Sequence, residues 1–519
     1  MKLHPAYAIN GQPVLGTYGR TDLEALALVK DARMNLVFGG EDLLDPGTAR
    51  GRFCLDNGIK VMHPLTGHVY GRPSLSDDLG ERDTEIGLHG GAPLPPPGPV
   101  RIEDELIRYR EATPSALIGC ERGAEGTAPM PHRAGIILFW PAPVAQEVAD
   151  IQASPNLFGY YVLDDTPGNA LSALRGMGQA VRRVDPQRPI CAGHSGATTL
   201  HNFAADAADV LMLYHYPLLK TGYERTWTST ETQWMLMEAR KRSPGVPFFG
   251  IYQAFWGGQW NKQEPLTAAE LREQMEDFVR EGASGLIAFY LAPEAGPLGG
   301  WNLDGEMQRA VRDANREILS SDGLSVPPEP DEMARARFQP TGYWVHPREV
   351  PGIVPAWHVL APFDPEGRKL DAIFPPEKRI DLCAAYAGKG RRIRWIAHRT
   401  VAGAIGFVEL YGEIHYLERS VAYATCTVTS PRAQKAQMRF SSDEDAIVWF
   451  NGRQVWRHDG IRGVHWDADV VPVTMPAGET RILVKVYNEV EQWGFFMRFT
   501  DAHGQPLEGL TFSPAPDRG

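Results

Sequence analysis

From residue 13 to about residue 320 the chain alternates eight short, almost uninterrupted apolar runs with segments of helical periodicity. The runs are PVLGTYG (13–19), MNLVFGG (34–40), IKVMHPL (59–65), LFGYYVLDD (157–165), PICAGHS (189–195), VLMLYHYP (210–217), PFFGIYQAF (247–255) and SGLIAFYLA (284–292). Runs of this length without polar alternation suit strands buried on both faces. The segments between them carry helix signals. Thr21-Asp22-Leu23-Glu24 and Thr267-Ala268-Ala269-Glu270 fit the capping-box pattern. Leu171, Leu174, Met177, Val181 and Val184 form one stripe at helical spacing, as do Met307, Val311, Ala314 and Ile318. Eight such units predict an α/β fold, a (β/α)8 TIM barrel over residues 1–319.

The third and fourth runs are separated by a long insertion, placed at about 66–133, on the face where barrels carry their active sites. Between these two runs RIEDELIRYREA (101–112) reads as a helix and GIILFWPAP (135–143) as strand-like, with GIILFWP an alternative barrel strand. Past residue 319 the composition changes. SSDGLSVPPEPDE opens a Pro-rich linker, 320–344, and helical periodicity then fades. AQMRFSSDEDAIVWFNGRQVWRHDG (436–460) alternates and turns at Asn451-Gly452, a hairpin signal. ETRILVKVYNEV (479–490) and WGFFMRFTDAHG (493–504) read as further strands, so 345–519 is expected to be an all-β sandwich.

The chain of 519 residues has a net charge of −12, which argues against a nucleic-acid partner because phosphate binding needs a clustered basic surface. No run reaches the ~18–20 apolar residues of a membrane-spanning helix. The start, MKLHPAYAINGQPVLG, has no apolar h-region, so the expectation is a cytoplasmic protein or one whose leader was removed. Its five cysteines (Cys54, Cys120, Cys191, Cys383, Cys426) include no CxxC pair and read as small buried hydrophobes.

Five phrases carry a resemblance. YAINGQPVLGTYG resembles the lead-in to the first strand of barrel glycoside hydrolases, and GYYVLDDTP resembles the fourth-strand ending of such enzymes, with Asp165 where a Glu is usual. WHVLAPF, SSDEDAIVWFNGRQV and MPAGETRILVKVYNEVEQWGFFMRF resemble the jelly-roll accessory modules of bacterial polysaccharide-degrading enzymes. The resemblance implies a carbohydrate substrate and no metal or organic cofactor.

Glycoside hydrolysis needs a proton for the leaving oxygen and a group to meet the developing cationic sugar. Asp164 and Asp165 end the fourth run, where both jobs are done, and side-chain alternation would turn one of them to the barrel axis. Adjacent carboxylates repel, which favours a proton on one of them. The plainer alternative is that one Asp caps the following helix. The family pattern implies a nucleophilic Glu on the seventh strand, where this chain has Gln253. Two routes remain. In one, Asp164 orients the substrate's own 2-acetamido group and Asp165 is the general acid. In the other, the enzyme inverts, with Asp165 as acid and Glu41 or Asp42 as base, a geometry that suits carboxyls roughly 6.5–9.5 Å apart. Candidates for substrate contact are His63, His215, Tyr216, Gln253, Trp256, Tyr290 and Arg20, with Trp140, Trp260 and Trp301 as further indoles near strand ends. The histidines, including His194, lack HxH or HExxH spacing, so packing or sugar contact is expected of them rather than metal binding. Trp449 and Trp493 are expected in the sandwich core, leaving Trp456 and Trp466 as other candidate platforms. A barrel that binds carbohydrate without cleaving it, and a sandwich that serves as an oligomer interface, are the competing readings.

Overall fold

The computed structural model describes residues 2–513 except 4–5, 70–71, 90–93, 95–97, 133, 165–170, 196–207, 219–231, 233–235, 237–244, 259–260, 294–295, 297, 321–322, 324–351, 391, 400–404, 407–416, 461, 463–466 and 491–492. Eight parallel strands close into a barrel: β1 (Val14–Gly19), β2 (Leu36–Phe38), β3 (Lys60–Pro64), β4 (Leu157–Leu163), β5 (Ile190–Ser195), β6 (Val210–Tyr214), β7 (Phe248–Gln253) and β8 (Gly285–Leu291). Each falls in one of the eight apolar runs. Their side chains divide by parity. Val14, Leu36, Met62, Tyr161, Cys191, Val210, Met212, Phe249, Ile251 and Ile287 fill the interior. Leu15, Val37, Val61, Val162, Ala192, Leu211 and Leu213 face outward into the helix layer. Both faces are dry, which is why these runs lack polar alternation.

Among the described residues, helices Leu23–Asp31, Ala49–Asp56, Pro141–Ile151, Leu171–Val184, Ala268–Arg280 and Gly305–Ile318 follow strands β1, β2, β3, β4, β7 and β8. Thr267 and Glu270 form a reciprocal capping box at the start of 268–280. At the first helix the cap is Asp22, whose side chain accepts from the Ala25 amide, rather than Thr21.

The insertion departs from the sequence reading. RIEDELIRYREA is not helical: Val100–Ile102 pairs with Glu105–Ile107 around a turn in which Glu103 has φ 51°, and Glu111–Thr113 pairs with Ala116–Ile118. The segment has good helix formers, but Val100, Ile102, Ile107 and Leu117 gain a shared core with Leu138 and Trp140 only as strands. Its polar centre is Glu105, fully buried, bonded to Arg122 at 2.7 and 2.8 Å and to His132 at 2.8 Å. Burial raises the Glu105 pKa, but these partners and the Gly123 and Met130 amides outweigh it and hold the carboxyl at about 2. GIILFWP is not a barrel strand. Ile137 and Phe139 make isolated bridges to Ser74 and Arg101, and Pro141 then starts a helix.

The C-terminal region is a β-sandwich of a seven-stranded and a four-stranded antiparallel sheet. Trp357, Met438, Phe440, Val484, Trp493, Phe495 and Phe499 pack between them. The Asn451-Gly452 turn has φ 48° and 80° at its two residues, as a type I′ hairpin requires. Trp493 is in this core as expected, but Trp449 is not. It lies on the outer face of the seven-stranded sheet with Ile447 and Leu483, while Ala446, Val448 and Phe450 of the same strand point inward. Cys54, Cys120, Cys191 and Cys426 are buried, but Cys383 is exposed. Among the described residues no helix is long and apolar enough to cross a membrane.

One buried acid gives this sandwich a pH dependence. Glu444 is 4% exposed, and burial above all, with the Asp443 charge adding, pushes its carboxyl up to about 8 from 4.5. The folded state therefore holds this proton more tightly than the unfolded chain. Its contribution to stability is complete below about pH 4.5 and is lost as pH rises to about 8. Thermal melts should show that decline in the wild type and a flatter profile in Glu444→Gln. An identical decline in both proteins would contradict the assignment.

Candidate active site

The β4–β5 pairing is regular through Tyr160↔Ile190 and Tyr161↔Cys191, then slips so that Leu163 lies opposite Ala192. One extra residue on β4 is a bulge, and it reverses the parity of the residues beyond it. Tyr161 and Cys191 point into the barrel, whereas Ala192 points out. The residue that follows β4, Asp164, is thereby turned inward beside Gly193. Two contacts fix it there. The Tyr161 hydroxyl donates to Asp164 Oδ1 at 2.7 Å, and a Cβ on Gly193 would stand 2.1 Å from that hydroxyl and 2.6 Å from Oδ1. Only glycine leaves room for this pair. Asp165 lies outside the described residues.

Around Asp164 the upper barrel is aromatic. Tyr18 of β1 stacks on Phe38 of β2 with centroids 3.8 Å apart, and both meet Tyr161 edge-on. On the other side Tyr216 stacks on Phe289 of β8 at 5.5 Å and on Tyr214 at 5.6 Å. Burial, with the Asp164 charge next, pushes the phenols of Tyr18 and Tyr161 well above their ordinary range, so both remain donors. A carboxylate at the C-terminal mouth of a barrel, amid aromatic rings and hydroxyls, can meet a polar ligand with apolar faces.

The other sequence candidates separate by direction. Tyr216 joins the interior aromatics. His215 is 3% exposed, with Nδ1 2.6 Å from the Thr232 hydroxyl, and burial lowers its pKa to about 3. By the parity of Met212 and Tyr214, it points to the helix layer. His63 likewise points outward, opposite to Met62, and lies 2.6 Å from Glu147 of helix 141–151. Glu147 also takes His68 at 2.6 Å, and the two imidazoles bring its carboxyl down to about 2. His194 is fully buried and lowered to about 4.

Gln253 ends β7 fully buried, and its carboxamide is engaged by the protein. Oε1 accepts from the Leu218 amide at 3.0 Å, and Nε2 donates to the Leu218 and Phe255 carbonyls at 3.1 and 3.4 Å. Trp256 is half-buried on a short strand, Phe255–Gly257, paired with Leu298–Gly300. Gly299 lies flat on its indole, so that a Cβ there would be 2.2 Å from Cε2. Tyr290 donates to the Leu298 carbonyl at 3.5 Å. Arg20 is held by Asp22 at 2.8 Å and by Glu24 at 3.5 Å. Glu41 is exposed at the start of the short helix Glu41–Leu44, and Asp42 pairs with Arg50. Trp140 is buried and donates to the Tyr109 hydroxyl at 3.1 Å, Trp301 is buried against Thr17 at 3.2 Å, and Trp260 lies outside the described residues. No group of metal-ligating residues occurs among the described residues.

Tyr161, Gly193, Tyr18, Phe38 and Phe289 were not picked out from the sequence. The signal for Tyr161 was its parity in GYYVLDD, opposite to that of Tyr160, which faces the helix layer and donates to Asp185 at 2.8 Å.

Gln253→Glu should destabilise the protein by about 2–4 kcal/mol, because a buried carboxylate would face the carbonyls that the amide now donates to. Denaturant unfolding measures this, and an unchanged midpoint would show that the side chain is not held as described. Gly193→Ala should displace Asp164, and crystallography of that variant would show the lost 2.7 Å contact.

No protein-family model matches the chain, and no curated protein does. Solved structures do share distant likeness. A GH2 beta-galacturonidase from Eisenbergiella tayi, bound to galacturonate, is 13% identical over 61% of this chain and 54% of its own, with a TM-score of 0.37. A beta-galactosidase from the haloarchaeon Halorubrum lacusprofundi is 11% identical over 61% and 60%, at 0.36. A Bacteroides uniformis beta-glucuronidase is 9% identical over 96% and 67%, at 0.34. The chain thus spans about half the length of the first of these. Likeness of this degree carries no argument about chemistry, which rests on the site itself.

Proposed function

We propose that this protein is a glycoside hydrolase acting on an oligo- or polysaccharide, with Asp165 as general acid and Asp164 as its charge-stabilising partner. The observation that carries the reading is the β4 bulge, which turns Asp164 to the barrel axis against the Tyr161 hydroxyl. A hydroxyl donating to a carboxyl favours its ionised form. Asp164 is therefore suited to orient a substrate group or face positive charge, rather than to deliver a proton. The proton falls to Asp165, whose ionised neighbour disfavours a second negative charge.

In the cleavage step Asp165 gives its proton to the glycosidic oxygen as the bond to the anomeric carbon breaks. The carbon is met either by the substrate's 2-acetamido oxygen, oriented by Asp164, or by a water that loses its proton to a base such as Glu41. Both routes accord with Gln253, an engaged amide at the end of β7 where double displacement would need a free carboxylate. Trp256, Tyr216 and Tyr290 would offer apolar faces to the sugar rings. The same Gln253 supports the second reading, a barrel that binds carbohydrate without cleaving it.

A panel of oligo- and polysaccharides assayed for new reducing ends tests the proposal. On any glycan cleaved, Asp165→Asn should lose about 10²–10⁴-fold in rate, the usual worth of a general acid, and Asp164→Asn should also be impaired. Wild-type rates in Asp165→Asn would refute the acid assignment. Binding of several glycans with cleavage of none would favour the second reading.

A further inference from the structure

The outer face of the seven-stranded sheet is covered only in part. A segment that includes Lys369–Asp371 and Pro375–Lys378 lies over it and is clamped by Lys485. This lysine has no exposed side-chain surface, and its ammonium donates to the Leu370 and Ala372 carbonyls at 2.7 and 2.5 Å and to Glu377 at 2.8 Å. Tyr423 also donates to the Glu377 carboxylate. Burial lowers the Lys485 pKa and Glu377 opposes that; the lysine is sealed under the segment, with the Glu377 carboxylate at its edge.

Where the cover ends, a groove of about 700 Å³ opens between this segment and the Asn451-Gly452 hairpin. That is the size of a pocket for a small ligand. Its floor is the outward-facing row of neighbouring strands: Trp449 sits directly opposite Leu483 in the strand pairing, with Thr427 on the next strand. Both walls are fixed. One is held by the Lys485 clamp. On the other, the Asn451 side-chain carbonyl accepts from the Arg481 amide and the Asn451 amide donates to the Arg481 carbonyl, each at 2.8 Å. Trp449 is half-buried here, whereas the inward residues of its strand are fully packed.

The groove's charges are unequal. Lys378, Arg379 and Arg481 are exposed along it, against Glu479, while Glu377 is neutralised by Lys485. Arg379 reaches Asp381 only at 3.9 Å, and among the described residues Lys378 and Arg481 have no ion-pair partner. An indole face bordered by cations suits a flat ring with apolar C–H faces and an anionic substituent. We infer that this groove is a second, non-catalytic carbohydrate site that binds acidic sugars, their rings on Trp449 and their anionic groups toward Arg481 and Arg379. The inference is independent of the barrel's chemistry.

Calorimetry on the full chain with trigalacturonate, a sulfated galactose trisaccharide and uncharged galactotriose tests it. The anionic probes should bind more tightly than the neutral one and lose affinity with added salt. The preferred probe tells carboxylate from sulfate recognition. Trp449→Ala and Arg481→Glu should each weaken anionic binding on the order of ten-fold or more, without altering the barrel's activity on any small substrate it cleaves. Arg481 is exposed, so its variant decides the matter if Trp449→Ala fails to fold. Wild-type affinity in both variants, equal affinity for charged and neutral probes, or no binding of any probe would overturn the site.

Discussion

A single slipped residue between β4 and β5 decides what this barrel can present to a ligand. Below the slip, inward positions carry apolar or aromatic side chains and the interior is closed. Above it, the parity reversal brings Asp164 to the axis, where the Tyr161 hydroxyl meets it at 2.7 Å. Without the bulge, the residue after Leu163 would continue the pattern of Tyr160 and Val162 toward the helices, and a carboxylate there would lie against apolar surface. The bare backbone of Gly193 completes the arrangement by leaving the space the pair occupies. The filled interior and the carboxylate above it are thus joined through one tyrosine, buried along its ring and polar at its tip.

The same parity accounts for the strand-end histidines. His63 and His215 stand one residue beyond inward-facing Met62 and Tyr214, so both turn to the helix layer, one to Glu147 and the other to Thr232. They tie strand ends to the helix layer. The end of β7 is fastened in a comparable way, with Gln253 clasping the backbone at Leu218. These contacts position the strand ends they reach, as a site built on strand termini requires.

Much of the barrel was legible because strands buried on both faces leave an unbroken apolar signature, and eight of them leave few other architectures. The bulge was not legible, since nothing in GYYVLDD marks an extra residue. Alternation alone could say only that one of the two aspartates faces inward. The insertion misled for a different reason. Ile102, Leu106 and Ile107 satisfy helical spacing and strand pairing alike, and the choice was made by distant partners such as Leu117 and Leu138. Trp449 was misplaced for want of its strand's register: inward and outward rows in AIVWF are equally apolar, so composition could not tell core from outer face.

The central claim is that the ligand of this barrel is a sugar chain whose glycosidic bond lies over the paired aspartates. The most direct measurement is a crystal structure of the Asp165→Asn variant soaked with an oligosaccharide that the wild type cleaves or binds. The account predicts a sugar at the C-terminal mouth, with a glycosidic oxygen within hydrogen-bonding distance of residue 165 and the neighbouring ring beside Asp164. An oligosaccharide seated elsewhere, with the mouth empty beside Tyr161, would contradict it.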